Sequence, residues 1–276
     1  MRIAPSPGVF VRLSQLLISL LLTLTLLTGW IAPAQGAITL ADLEAGEALA
    51  GEAIAALEQG NLEQAETLWS QLIEEFPTNP ALWSNRGNTR LSQNRVDDAI
   101  ADFNEAIALA PDAPDPYLNR GIAYEALGDW TKAIADYDQV LSLNPEDAIA
   151  YNNRGNAKGG QGDWPGAVED YQGAIARQPQ FSMAQANYAL ALYQVGQDEA
   201  ALKAMQSLAR KYPMFPDMRA ALTAILWGMN RQGEAESHWV AAIGLDGRYQ
   251  NLDWVREIRR WPPRITQDLE HFLTLE

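Results

Sequence analysis

Between residues 46 and 249 the chain repeats one pattern of apolar, small and polar positions every 34 residues. Six alanines mark the period: Ala65, Ala99, Ala133, Ala167, Ala201 and Ala235. Four residues beyond each stands a large, mostly aromatic side chain, in order Trp69, Phe103, Tyr137, Tyr171, Met205 and Trp239. Five residues before each stands Gly60, Asn94, Gly128, Gly162, Gly196 or Asn230, residues that tolerate a left-handed backbone. Twelve beyond come Pro77, Pro111, Pro145, Pro179 and Pro213, with Gly247 in the sixth place. Units numbered so that the alanine is position 20 run 46–79, 80–113, 114–147, 148–181, 182–215 and 216–249. The spacing predicts in each unit a helix from about position 2 to 14, a Gly or Asn turn, a second helix to about position 30, and a proline that cannot continue it. Small residues at positions 8 and 20 allow two helices to approach closely, with the ring at 24 filling the space beside them. One helix pair cannot bury its apolar face alone, so neighbours must stack into a continuous core.

These columns resemble the tetratricopeptide repeat, a 34-residue unit of two antiparallel helices, which has an aromatic or apolar residue at 4, Gly at 8 and 15, Ala at 20, an aromatic at 24 and Pro at 32. Repeats two to four fit best, as in the stretch from Tyr117 to Pro145, while the outer repeats drift to Gln185 and Arg219 at position 4 and to Ala53, Ala189 and Thr223 at position 8. The resemblance implies an all-α fold, a right-handed superhelical solenoid of six helix-turn-helix repeats, working as a protein-binding scaffold without a cofactor.

A different segment precedes the array. Residues 1–36 contain no acid, carry Arg2 and Arg12, run apolar from Leu16 to Ile31 and end in Ala32, Ala34 and Gly36. That is the layout of a secretory signal peptide cleaved after Ala34 or Gly36. The alternative is an uncleaved anchor over residues 13–32. Residues 37–45 then form a linker or N-terminal cap. The export signal places the protein in a periplasm or thylakoid lumen.

Its removal moves the formal charge from -15 to -17, since the segment carries two arginines and no acid. A body so negative, with no basic stripe, is a poor partner for nucleic acid and a better one for basic or neutral polypeptide. One column suggests where such a polypeptide binds. Position 6 is Asn85, Asn119, Asn153 and Asn187 in repeats two to five. In the family the first helix of each unit lines a concave face through positions 2, 5, 6, 9, 12 and 13. A side-chain amide both donates and accepts, so an asparagine ladder there can meet the backbone of an extended peptide whatever its sequence. Asn88, Asn152 and Asn156 thicken the ladder, and Tyr193 adds an aromatic anchor. Positions 2, 5 and 6 hold no Lys or Arg, so the carboxylate clamp of chaperone-binding members has no counterpart. Groove acids such as Asp115 and Asp217, with apolar Leu118, Met183, Leu190 and Trp227, suit a segment with apolar anchors and Lys or Arg.

A second pair of columns reads as structural. Position 7 is Arg86, Arg120 and Arg154 in repeats two to four, and position 23 is Asp102, Asp136 and Asp170. Both are lost together elsewhere, which predicts an ion pair within each of these repeats. Past Gly247 the period ends. Residues 250–276 predict a short helix, a break at Pro262-Pro263 and an amphipathic last helix that caps the stack. The alternative role for this tail is docking of an acidic partner or a membrane surface through Arg256, Arg259, Arg260 and Arg264. The tail also resembles the ends of exported repeat proteins of the cyanobacterial and chloroplast thylakoid lumen. Catalysis has little to stand on: His238 and His271 are the only histidines, cysteine is absent, and no spacing proposes a metal site.

Overall fold

The computed structural model describes residues 40–275. The apolar leader, both candidate cleavage sites and residues 37–39 lie outside the described residues. The chain divides into two units, one ending at Leu127 and one starting at Gly128, so repeat three contributes its first helix to the former and its second to the latter. The first unit holds α1 (Leu40–Glu58), α2 (Leu62–Glu75), α3 (Pro80–Ser92), α4 (Val96–Leu109) and α5 (Pro114–Ala126). The second holds α6 (Trp130–Leu143), α7 (Ala148–Gly160), α8 (Trp164–Arg177), α9 (Ser182–Gln194), α10 (Asp198–Lys211), α11 (Pro216–Gly228) and α12 (Gln232–Leu245). A 3-10 turn (Gly247–Gln250), α13 (Leu252–Glu257) and α14 (Pro263–Leu275) follow. Residues 40–45 are continuous with the first helix of repeat one. Among the described residues no helix is long and apolar enough to cross a membrane.

Local chemistry sets these bounds. Each first helix ends at position 13, and the turn residue at position 15 takes a positive φ in all six repeats: 75° at Gly60, 63° at Asn94, 73° at Gly128, 86° at Gly162, 82° at Gly196 and 58° at Asn230. A left-handed residue satisfies the last carbonyls and turns the chain back, which Gly and Asn do at least cost. The second helix then starts at position 17 in every repeat. Asn61, Asp129 and Asp163 cap three of these starts, each accepting a backbone N–H three residues on. All second helices end at position 30, two residues before the proline column.

Packing within a repeat turns on the pairing of position 8 with position 24. A methyl group placed on Gly87 would stand 2.6 Å from the Phe103 ring, and one on Gly155 would stand 2.7 Å from the Tyr171 ring. The six alanines at position 20 are all 0% exposed. In the first unit the cores form around Trp69, Leu72 and Phe76, and around Phe103 with Ala99 and Ala123. In the second a larger core runs from repeats five and six into the tail, joining Met205, Met218 and Trp239 to Tyr249, Trp261, Leu269 and Phe272.

Gly155→Ala should therefore cost about 1–3 kcal/mol through overpacking. Gly155→Ala combined with Tyr171→Leu, which removes the ring, should lose less than the two changes summed. Denaturant unfolding of the two single variants and the double variant checks this, and strict additivity would contradict it.

Candidate functional site

The first helices are held in orientation by the arginines at position 7. Arg86 forks onto Asp102 of its own repeat, with Nε to Oδ2 at 3.0 Å and Nη2 to Oδ1 at 2.8 Å. Arg154 does the same to Asp170, at 2.9 and 2.6 Å. Asp102 and Asp170 are buried, and each takes a second cation from position 11: Arg90 at 2.9 Å and Lys158 at 2.8 Å. The remaining nitrogen reaches back to position 25 of the preceding repeat. Arg86 donates to Ser70 Oγ at 3.2 Å, Arg120 to Asn104 Oδ1 at 2.6 Å and Arg154 to Asp138 Oδ1 at 2.6 Å. Rings at position 4, Trp83, Tyr117 and Tyr151, lie under these guanidiniums at 5.0, 5.6 and 5.4 Å. In the second unit this fixes α7 to both α8 and α6. Asp170, ahead of burial and Asp138, governs the Arg154 guanidinium and raises its pKa, so the arginine stays charged. Arg120 and Asp136 belong to different units.

The asparagines stand on the same first helices, Asn85, Asn119 and Asn153 one residue before the arginines. In the first unit Asn119 Nδ2 stands 3.5 Å from Ser84 Oγ, joining α5 to α3. Asn88 is half-buried, and Asn85 is 5% exposed with its Nδ2 unpartnered. In the second unit the side chains form a chain of amides. Asn187 Nδ2 donates to Asn152 Oδ1 at 3.0 Å and to Asn156 Oδ1 at 3.1 Å, stitching α9 to α7. Asn152 Nδ2 donates to Asn153 Oδ1 at 3.2 Å, and the Tyr171 hydroxyl donates to Asn156 Oδ1 at 3.0 Å. Asn153, Asn156 and Asn187 are half-buried while Asn152 is buried. The asparagine column thus binds repeat to repeat, which spacing alone did not reveal.

Tyr193 has a different neighbour from the open groove expected of it. It is 2% exposed, its hydroxyl donates to Asp268 of α14 at 2.6 Å, and Arg264 lies 3.9 Å above its ring. Burial, then the bond to Asp268, pushes the Tyr193 hydroxyl pKa up. The tail arginines likewise meet this chain's own groups. Arg259 forks onto Asp217, the groove acid of repeat six, at 2.6 and 2.7 Å. Arg264 forks onto Asp198 at 2.5 and 2.8 Å, Arg256 meets Glu270 at 2.7 Å, and Arg260 stands 5.2 Å over Trp130. Three of the four tail arginines thus pair with acids of this chain, while Arg256 and Arg260 remain exposed. The last helix packs chiefly against α11 and α9, the first helices of repeats six and five.

Two other features frame the face. A shallow depression of about 430 Å³ lies where α9 begins, lined by Met183, Tyr212, Met214 and Phe215. Among the described residues no group of three or more His, Cys, Asp or Glu side chains is placed to hold a metal ion.

Comparison with known proteins agrees with this architecture. A family model described as tetratricopeptide repeat matches residues 51–114 and 153–214, and a second, described as TPR repeat, matches residues 126–162. Together they cover more than half of the chain, which belongs to the tetratricopeptide-repeat family, a family of scaffolds for protein–protein contact. Similar solved structures include a tetratricopeptide repeat protein from Parabacteroides merdae, 18% identical over 84% of this chain and 98% of that one, with a TM-score of 0.65. MamA is 22% identical over 58% of this chain and 93% of its own, with a TM-score of 0.53. YrrB, described as a TPR protein with an unusual peptide-binding site, is 18% identical over 65% of this chain and 92% of its own, with a TM-score of 0.53. At such identities the likeness is one of fold. No curated protein sequence matches this chain.

If Asp170 is the anchor of α7, Asp170→Ala should cost about 3 kcal/mol by leaving Arg154 and Lys158 without their shared carboxylate. Lys158→Ala should cost less than about 1 kcal/mol, because Arg154 still satisfies the acid. Equal losses in denaturant unfolding would contradict the assignment.

Proposed function

We propose that this chain is an exported scaffold that binds extended polypeptide segments along the first-helix face and helps to assemble or hold a membrane or lumenal protein complex. One observation carries the reading. Within the amide chain of the second unit, the NH2 groups of Asn153 and Asn156 and the carbonyl oxygen of Asn187 make no hydrogen bond among the described residues, whereas Asn153 Oδ1 accepts one, Asn156 Oδ1 accepts two and Asn187 Nδ2 donates two. The engaged atoms fix the orientation of each amide, and the others offer two donors and an acceptor from a half-buried surface. An extended backbone presents the complementary acceptors and donor without regard to its side chains. The peptide-binding site named for YrrB supports a ligand of this kind for the architecture.

The charge of -15 favours a basic or neutral segment. Export rests on the composition of residues 1–36, with a periplasm or thylakoid lumen as destination.

The test is a displayed library of random 12-residue peptides selected on the full chain. Selected peptides should bind Asn153→Ala/Asn156→Ala about tenfold more weakly, the effect of two hydrogen bonds at about 0.5–1.5 kcal/mol each. Helicity should stay unchanged. Unaltered affinity for every selected peptide would refute the amide face.

A further inference from the structure

Two buried donors of the first unit have no partner among the described residues, and both stand in columns that are bonded elsewhere. Trp69 is 1% exposed with its Nε1–H unpartnered, and Asn85 is 5% exposed with its Nδ2 unpartnered. Trp69 holds position 24 of repeat one and Asn85 position 6 of repeat two. Folded chains seldom leave a buried N–H without an acceptor, because the group has given up water for nothing.

The same two columns meet on one atom further along the chain. In repeats four and five the position-24 donor is the Tyr171 hydroxyl and the position-6 donor is Asn187 Nδ2. They converge on Asn156 Oδ1, at position 9 of repeat four, at 3.0 and 3.1 Å. Asn187 also reaches Asn152 at position 5. In the first unit Asn119 has the same direction of reach, from position 6 to Ser84 at position 5 of the repeat before. In repeat one, positions 5 and 9 are Ala50 and Ile54, whose side chains accept no hydrogen bond. Both are half-buried and pack against the apolar cluster that holds Trp69. One replacement therefore accounts for both unpaired donors: isoleucine in the place of a carboxamide.

We propose that repeats one and two form a socket for a carboxamide side chain, Asn or Gln, of a bound polypeptide, whose oxygen accepts from Asn85 Nδ2 and Trp69 Nε1–H. The proposal rests on the reading of the first-helix face as a receptor for extended segments. It adds a side-chain specificity that the backbone-directed amides of repeat four lack. Both nitrogens are shut off from the surface. A main-chain carbonyl lying along the face thus stops at Ala50 and Ile54, whereas a side chain inserted between them reaches the donors. A carboxylate would shed its water on a helix that carries exposed Glu47 and Glu58, and a neutral amide oxygen avoids that penalty.

The test titrates the 15N-labelled full chain with propionamide and, separately, with propionate, its charged isostere. It follows the indole N–H resonance of Trp69, assigned by its loss in Trp69→Phe. Propionamide should move this resonance downfield and saturably, and propionate should not. In Ile54→Asn, which supplies its own carboxamide, propionamide should have no effect. Should that variant lose helicity, Asn85→Ala gives the reading instead, with apparent affinity about tenfold weaker. A resonance unmoved by propionamide, as in a socket that holds water alone, overturns the proposal, and so does an equal response to propionate or an undiminished response in these variants. Among the selected 12-residue peptides, one position should favour Asn or Gln, and its change to Ala should weaken binding to the unsubstituted chain but not to Ile54→Asn. Peptides with no such position overturn the proposal. The propionamide response does not pass through the amides of repeat four, so it stands or falls apart from the weakening sought with Asn153→Ala/Asn156→Ala.

Discussion

The structure depends on how closely two helices can pass inside one repeat. With Gly87 or Gly155 on one helix and a 0% exposed alanine on the next, the backbones come near enough that a single added methyl would strike Phe103 or Tyr171. That closeness fixes the crossing of the pair, and fixed crossings make the repeats interchangeable units whose equivalent residues lie on one face. The guanidinium at position 7 extends the constraint beyond the pair. Arg154 touches its own first helix, Asp170 on the second and Asp138 on the repeat before, so one side chain registers three helices. Repeat five keeps half of this arrangement by other means: Tyr188 stands at position 7 and its hydroxyl accepts from Gln172 of the preceding repeat at 2.7 Å.

On this frame the first-helix face carries two kinds of surface in the second unit. Around α7 and Asn187 of α9 it is an amide surface, internally bonded but with donors and an acceptor left over. Around α9 and α11 it is apolar with acids at its edges, and the chain's own tail fills it. Arg259 on Asp217 realises within the molecule the pairing of groove acid with arginine that the composition suggested for a ligand. A strongly acidic chain that keeps its few cations for such internal contacts retains a negative exterior, which favours encounter with basic or neutral partners.

Much of this was legible in the residues because its causes are local. The period, the left-handed turn column and the proline column are each a matter of what one residue permits, and the six turns take positive φ where Gly or Asn stands. The Arg and Asp pairing of repeats two and four was legible because the two columns vanish together. What stayed hidden depends on distant contacts. Arg90 and Lys158, the second cations on Asp102 and Asp170, stand in a column broken by Tyr124, so no regular signal marked them. The bonds from Asn187 to Asn152 and Asn156 join residues 35 and 31 apart, and the bond from Tyr193 to Asp268 spans 75. A periodic pattern says that Tyr193 lies on the same face as its equivalents, and nothing in it says that the tail returns to cover that face.

The most direct measurement is amide hydrogen exchange along the full chain with and without a bound extended peptide. Added protection should fall on α7 and the start of α9, where Asn153, Asn156 and Asn187 stand, and leave α8 and α10 unchanged. Protection confined to the second helices of the repeats, with α7 and α9 unaltered, would contradict a ligand face built on the first helices.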